Sequence, residues 1–128
     1  MDTQSNDFSF EGEKIYVGMD VHKSNWKVTI LGESISHKTF SQNPDPDLLF
    51  QYLRRHFPGG EYYSAYEASF CGFWTHDRLE ELGIKSIVVN PPDIPTTDKE
   101  RRQKEDKRDS RKIADTLRAG KLVLGYLQ

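Results

Sequence analysis

KIYVGMDVHKSNWKVTILGESISHKTF, residues 14–40, carries three stretches of strand patterning in series. Residues 14–19 are a β-branched and aromatic run. Residues 25–31 alternate with Trp26, Val28 and Ile30 on one face, and residues 34–40 alternate again. The first two are separated by Asp20-Val21-His22-Lys23-Ser24 and the second pair by Gly32-Glu33, a two-residue hairpin signal. Parallel strands need a long crossover, so connections this short dictate an antiparallel meander.

Downstream the pattern changes. Asn43-Pro44-Asp45-Pro46 breaks the strand and offers Asp45 as a helix N-cap with Pro46 at the first helical position, ahead of Leu48, Leu49, Tyr52 and Leu53. That helix should end near Phe57, closed by Pro58-Gly59-Gly60. Residues 61–65 read as a fourth strand, residues 70–82 as a second helix stopped by Gly83, and residues 84–89 as a fifth strand ended by Asn90-Pro91-Pro92. The order βββαβαβ, with a further helix on the apolar stripe Ile113, Ala114, Leu117, Leu122 and Val123, predicts an α/β domain. Its sheet would be mixed and five-stranded with helices on its faces, the order found in RNase H-like domains. Residues 1–13 read as a flexible lead-in and residues 14–128 as one domain.

Only 35% of the 128 residues are apolar and 30% are charged, so the sheet is small and much of the chain meets water. No apolar run approaches the ~20 residues that span a bilayer, and the polar start does not resemble a signal peptide, so no membrane partner and a cytoplasmic location are expected. The single cysteine, Cys71, has no partner for an internal disulfide and reads as a small apolar core residue. Net charge is -2, but residues 98–112 hold eight Lys or Arg against five acids. A basic segment on an acidic body is a local electrostatic footprint for phosphates; the plainer reading is a solvated face laced with ion pairs.

The carboxylates carry the sharpest chemistry. Two-metal phosphodiester chemistry needs several of them converging on ions roughly 3.5–4 Å apart. Asp20 follows the first strand and Glu67 the fourth, and in this topology the two strands are neighbours at the sheet centre. Asp106 and Asp109 are three apart, so a last helix that begins early enough carries both on one face about 60° apart, with Asp115 about 120° away. Each acid alone reads as a surface group; their joint placement, and Glu67 between Tyr66 and Ala68, points to a shared role. Hard oxygen ligands select Mg2+ or Mn2+ rather than zinc.

Tyr16-Val17-Gly18-Met19-Asp20-Val21-His22-Lys23, Tyr66-Glu67-Ala68, Asn90-Pro91 and Lys104-Glu105-Asp106-Lys107-Arg108-Asp109, followed by Leu117-Arg118-Ala119-Gly120, resemble the DEDD insertion-sequence transposases of the IS one-ten family. The likeness spans residues 14–124. It implies a RuvC-like domain in which Asp20, Glu67, Asp106 and Asp109 are the catalytic tetrad binding Mg2+ or Mn2+. DNA cleavage and recombination during transposition, a structured guide RNA pairing with donor and target DNA, and a homo-oligomer of the full-length protein are also implied. The family carries a second, C-terminal domain with a nucleophilic serine that nothing in residues 14–128 matches, so the chain reads as a fragment, inactive alone. Glu105 stands where members commonly have threonine, and competes with Asp106 as ligand.

Arg101, Arg102, Lys104, Lys107, Arg108, Arg111 and Lys112 surround two of the proposed ligands and are candidate phosphate contacts, as are His22 and Lys23 beside Asp20. Trp26, Phe40, Tyr63, Phe73 and Trp74 have the chemistry to stack on bases, but their positions on strands and apolar helix faces read as core. Two further readings are a non-catalytic nucleic-acid-binding or dimerisation module of the same fold, and an actin-type ATPase. Against the last, residues 20–24 lack the glycine that lets a hairpin approach phosphates.

Overall fold

The computed structural model describes residues 10–33, 35–67, 74–89 and 109–121. Three antiparallel strands come first: β1 (Lys14–Val21), β2 (Trp26–Leu31) and β3 (Ser36–Gln42). Helix α1 (Pro46–His56), strand β4 (Glu61–Glu67), helix α2 (Trp74–Leu82), strand β5 (Lys85–Val89) and helix α3 (Ser110–Arg118) follow. The five strands form one sheet in the order β3-β2-β1-β4-β5. β1 pairs antiparallel with β2 and parallel with β4, which pairs parallel with β5. The expected α/β class, element order and mixed sheet are therefore present, with β1 and β4 adjacent as anticipated.

Alternation along the strands sorts the core into two layers. Ile15, Val17, Met19 and Val21 of β1 share a face with Trp26, Val28, Ile30, Tyr62, Tyr66 and Val88, and pack against Leu49 and Leu53 of α1 and Leu79 of α2. The opposite face presents Ala65 and Val89, covered by Ile113 and Leu117 of α3. Asp45 caps α1 by accepting from the Asp47 amide at 2.9 Å, with Pro46 in the first turn as the sequence predicted. Gly83, at φ +96, adopts the left-handed conformation that ends α2.

Strand ends and turns depart from expectation. β1 and β4 each run two residues further, because Asp20 pairs with Lys27 and Glu67 with Val89, and ladder hydrogen bonds tolerate polar side chains at strand ends. The β2–β3 connection is residues 32–35 rather than Gly32-Glu33 alone. A register shift between Ile30 and Leu31 leaves Leu31 opposite Ser36 as the last pair, and the Gly32 amide donates to the Ile35 carbonyl at 2.8 Å. Phe10, assigned to the lead-in, donates its amide to Pro58 at 2.8 Å and sets its ring against Phe57, so packing begins before Lys14. Residues 70–73 and Cys71 lie outside the described residues.

α1 and α2 are joined at their surface by Arg78, whose Nε and Nη2 donate to the two Asp47 oxygens at 2.8 and 3.0 Å. This hydrogen bond holds the Asp47 carboxyl below its ordinary range. The folded carboxyl is the stronger acid, so the bridge contributes fully above the ordinary value of 3.8 and fades as pH falls through the lower, folded value. Asp47→Asn should lower the denaturation midpoint slightly at neutral pH, and the difference from wild type should close in strong acid, as thermal melts across pH would show.

Candidate functional site

The parallel register of β1 and β4 aligns Gly18 with Ala65 and Met19 with Tyr66, so Asp20 and Glu67 come next, side by side at the same strand ends. Both fall on the α3 face, since residues two before them, Gly18 and Ala65, face that helix. Glu67 is the last residue of β4 and is buried, with 9% of its surface exposed. Asp20 is partly exposed, and its Oδ1 lies 3.6 Å from His22 Nε2 in the β1–β2 turn. Two neighbouring carboxylates on adjacent strands repel, and such a pair is favoured by positive charge brought against it.

One source of positive potential is built in. α3 runs antiparallel to β1, a direction fixed at both ends. Near its start, Ser110 Oγ lies 2.8 Å from Thr29 Oγ1, opposite Gly18. At its finish, Arg118 reaches the carbonyls of Gly32 and Ile35 at the other end of β2. The amide-bearing N-terminus of α3 therefore lies toward the edge where Asp20 and Glu67 sit, where its dipole favours negative charge.

Gly18 makes this docking possible. A methyl group there would overlap the Ser110 carbonyl oxygen and the Ala114 amide nitrogen and stand 2.8 Å from Ala114 Cα, all backbone atoms of α3. Helix and strand touch with nothing between them. Local patterning did not single out this glycine, because its partners are some ninety residues away and its neighbours read as ordinary strand. Thr29 adds a second tie, its hydroxyl shared with Ser110 and, at 2.6 Å, with Thr39 of β3.

Of the remaining expected ligands, Asp109 is described and Asp106 is not. α3 starts at Ser110, so Asp109 is its N-cap, with Oδ1 accepting from the Lys112 amide at 2.9 Å. The expectation that a helix face carries Asp109 is therefore corrected: a short polar acid satisfies an orphan amide better before the first turn than within it. Among the described residues no group of three His, Cys, Asp or Glu side chains is gathered as for a metal ion. Among the basic candidates, His22 and Lys23 are exposed at the acid edge. Arg111 pairs with Asp115 at 3.4 Å, and Lys112 is exposed on α3. Arg101, Arg102, Lys104, Lys107 and Arg108, with Glu105, lie outside the described residues.

The expected core aromatics divide. Trp26 is buried, Phe40 and Tyr63 are partly buried, and Phe73 lies outside the described residues. Trp74 contradicts the core reading. It is 55% exposed because it stands about 140° round α2 from Leu79, on the face turned away from the sheet.

The chain is 35% identical over 118 residues to a protein of Sinorhizobium fredii named as a candidate transposase, y4rJ, the match covering 84% of this chain and 30% of the relative. It is 31% identical over 121 residues to the transposase for insertion sequence element IS1533 of Leptospira borgpetersenii, covering 85% of this chain and 32% of the relative. Both relatives are named as transposases. The chain thus spans about a third of the length of the curated relatives it matches. No protein-family model matches it. Among the described residues no helix is long and apolar enough to cross a membrane.

Proposed function

We propose that this chain is the RNase H-like, specifically RuvC-like, metal-binding part of a DEDD transposase acting on DNA phosphodiesters. The observation that carries the reading is the placement of Asp20 and Glu67 side by side at the ends of adjacent parallel strands, at the edge toward which α3 presents its N-terminus. Homology to transposases supports it from an independent direction.

The donor set fits a hard divalent cation, because carboxylates are the oxygen ligands that magnesium and manganese take. Asp20 and Glu67 would hold it, completed by Asp106 and Asp109 as the tetrad. Asp109 caps α3 through Oδ1, which leaves its second oxygen for a cation. When bound, the metal supplies the charge that activates water and stabilises a leaving oxygen. The protein's own groups orient the strand. His22 and Lys23 meet phosphate beside Asp20, and Arg111 and Lys112 do so from α3, with Arg101, Arg102, Lys104, Lys107 and Arg108 as further phosphate contacts. Such contacts position nucleic acid without reading its sequence. In this reading a structured RNA pairing with donor and target DNA supplies the sequence selection, in an oligomer of the full-length protein.

Asp109 Oδ1 already serves α3 by accepting from the Lys112 amide, so a second reading takes Asp109 as a structural cap and the chain as a nucleic-acid-binding or dimerisation module of the same fold without catalysis. Calorimetry separates the two. Magnesium or manganese titrated into the chain, with branched DNA or structured RNA present, should bind to wild type and not to the Asp20→Ala, Glu67→Ala double variant. Absence of binding to either protein would leave the non-catalytic module.

A further inference from the structure

Three large apolar side chains are exposed among the described residues, Ile35, Leu48 and Trp74, and Trp74 alone of them is aromatic. The path of the chain fixes where it sits. α2 connects two parallel strands, β4 and β5, and must carry the chain from the end of one to the start of the other. β5 begins at Lys85, opposite Tyr63 near the start of β4, so α2 begins at the opposite edge, the one where β4 ends in Glu67. β1 also ends there, in Asp20-Val21, and the turn bearing His22 and Lys23 follows. Because Leu79 packs in the core layer opposite α3, Trp74 flanks the acid edge from the far side of the sheet.

We propose that Trp74 is a stacking platform for an unpaired nucleobase of a DNA strand that crosses this edge. The inference rests on the reading that nucleic acid is placed at Asp20 and Glu67, and deepens it by naming a contact and the form of strand it takes. An indole left in water forgoes the burial that the chain's other tryptophan, Trp26, obtains in the core. Bases have two apolar faces and stack on aromatic rings irrespective of sequence, but only once unpaired. Exposed His22 and Lys23 at the same edge supply charge complementary to the phosphates of that strand. A phosphate held near the acids and a neighbouring base turned out onto Trp74 would together fix the strand's direction across the sheet edge.

The two tryptophans make the test direct, since Trp26 is buried and reports the fold while Trp74 reports the edge. The whole chain is titrated in magnesium with a fluorescein-labelled oligothymidylate, and separately with a fully paired hairpin of the same length. Tryptophan emission and label anisotropy are recorded together. Single-stranded oligothymidylate should quench the red-shifted emission of Trp74, and the hairpin should not. Trp74→Leu should weaken single-strand binding by roughly 5- to 100-fold while leaving Trp26 emission unchanged, with Trp74→Phe recovering part of the loss. Equal affinity of Trp74→Leu and wild type, with Trp74 unquenched in the bound wild type, would overturn the stacking role and leave the acid-edge reading standing. A wild-type chain that binds neither probe would overturn both.

Discussion

Gly18→Val should unseat α3 from the sheet, lowering the unfolding free energy by about 4 kcal/mol or more, with Gly18→Ala costing about 2–3 kcal/mol. A Cβ at this position overlaps the Ser110 carbonyl and the Ala114 amide, and both belong to the hydrogen-bonded backbone of α3. A flexible side chain could swing aside, but a helix turn cannot, so the whole helix must lift. Ile113, Ala114 and Leu117 are buried against the sheet, and each large apolar side chain returned to water costs roughly 1.5–3 kcal/mol. The Ser110 hydroxyl would also lose Thr29. Urea denaturation measures the loss, and hydrogen exchange of the α3 amides locates it. In the valine variant those amides should exchange far faster than those of β1, β2 and β4. Exchange that stays uniformly slow, with wild-type stability, would show that α3 docks elsewhere.

That prediction marks where local patterning stops being informative. The meander, the Asp45-Pro46 helix start and the Gly83 stop were legible because each is set by neighbours within a turn or a pleat: alternation over a few residues, a capping carboxylate, a positive φ. The adjacency of β1 and β4 was legible one level up, since a short-linked meander followed by two crossovers leaves few ways to order five strands. Gly18 was not legible, because its reason lies in a helix far along the chain whose approach no local pattern encodes. The two-residue turn at Gly32-Glu33 misled because the register shift sets Leu31 opposite Ser36, so the β3 ladder begins at Ser36.

The candidate site divides in the same way. Asp20 and Glu67 could be brought together from strand order alone, and their shared face follows from counting back in twos to Gly18 and Ala65. Asp109 could not be placed from spacing, because three residues separate it from Asp106 whether or not a helix joins them, and capping chemistry drew the helix start to Ser110. Trp74 shows the opposite weakness of composition. A tryptophan among apolar neighbours reads as core, and only the rotation of α2, which turns Leu79 inward, leaves Trp74 on the outer face.

In the proposed metal site, Glu67→Gln should leave the fold nearly untouched and remove any rise in stability that magnesium brings. Glutamine matches glutamate in shape and keeps an oxygen, so the packing of this buried strand end is preserved, and the metal-free melting temperature should stay within a few degrees of wild type. What changes is charge. A hard cation is held by anionic oxygen, and an amide beside Asp20 contributes a dipole where the wild type contributes a full charge. Magnesium at a hundred times its dissociation constant stabilises a folded protein by about 2.7 kcal/mol, on the order of 10 °C in a domain of this size. Wild type should show that rise, and Glu67→Gln should show little of it, with affinity lowered about a hundredfold or more. A wild-type rise that Glu67→Gln retains would move the cation away from the β1–β4 edge. The rise lost in Glu67→Gln but kept in Asp115→Asn would tie it to that edge, because Asp115 sits among Arg111 and Arg118 on α3, away from the two acids.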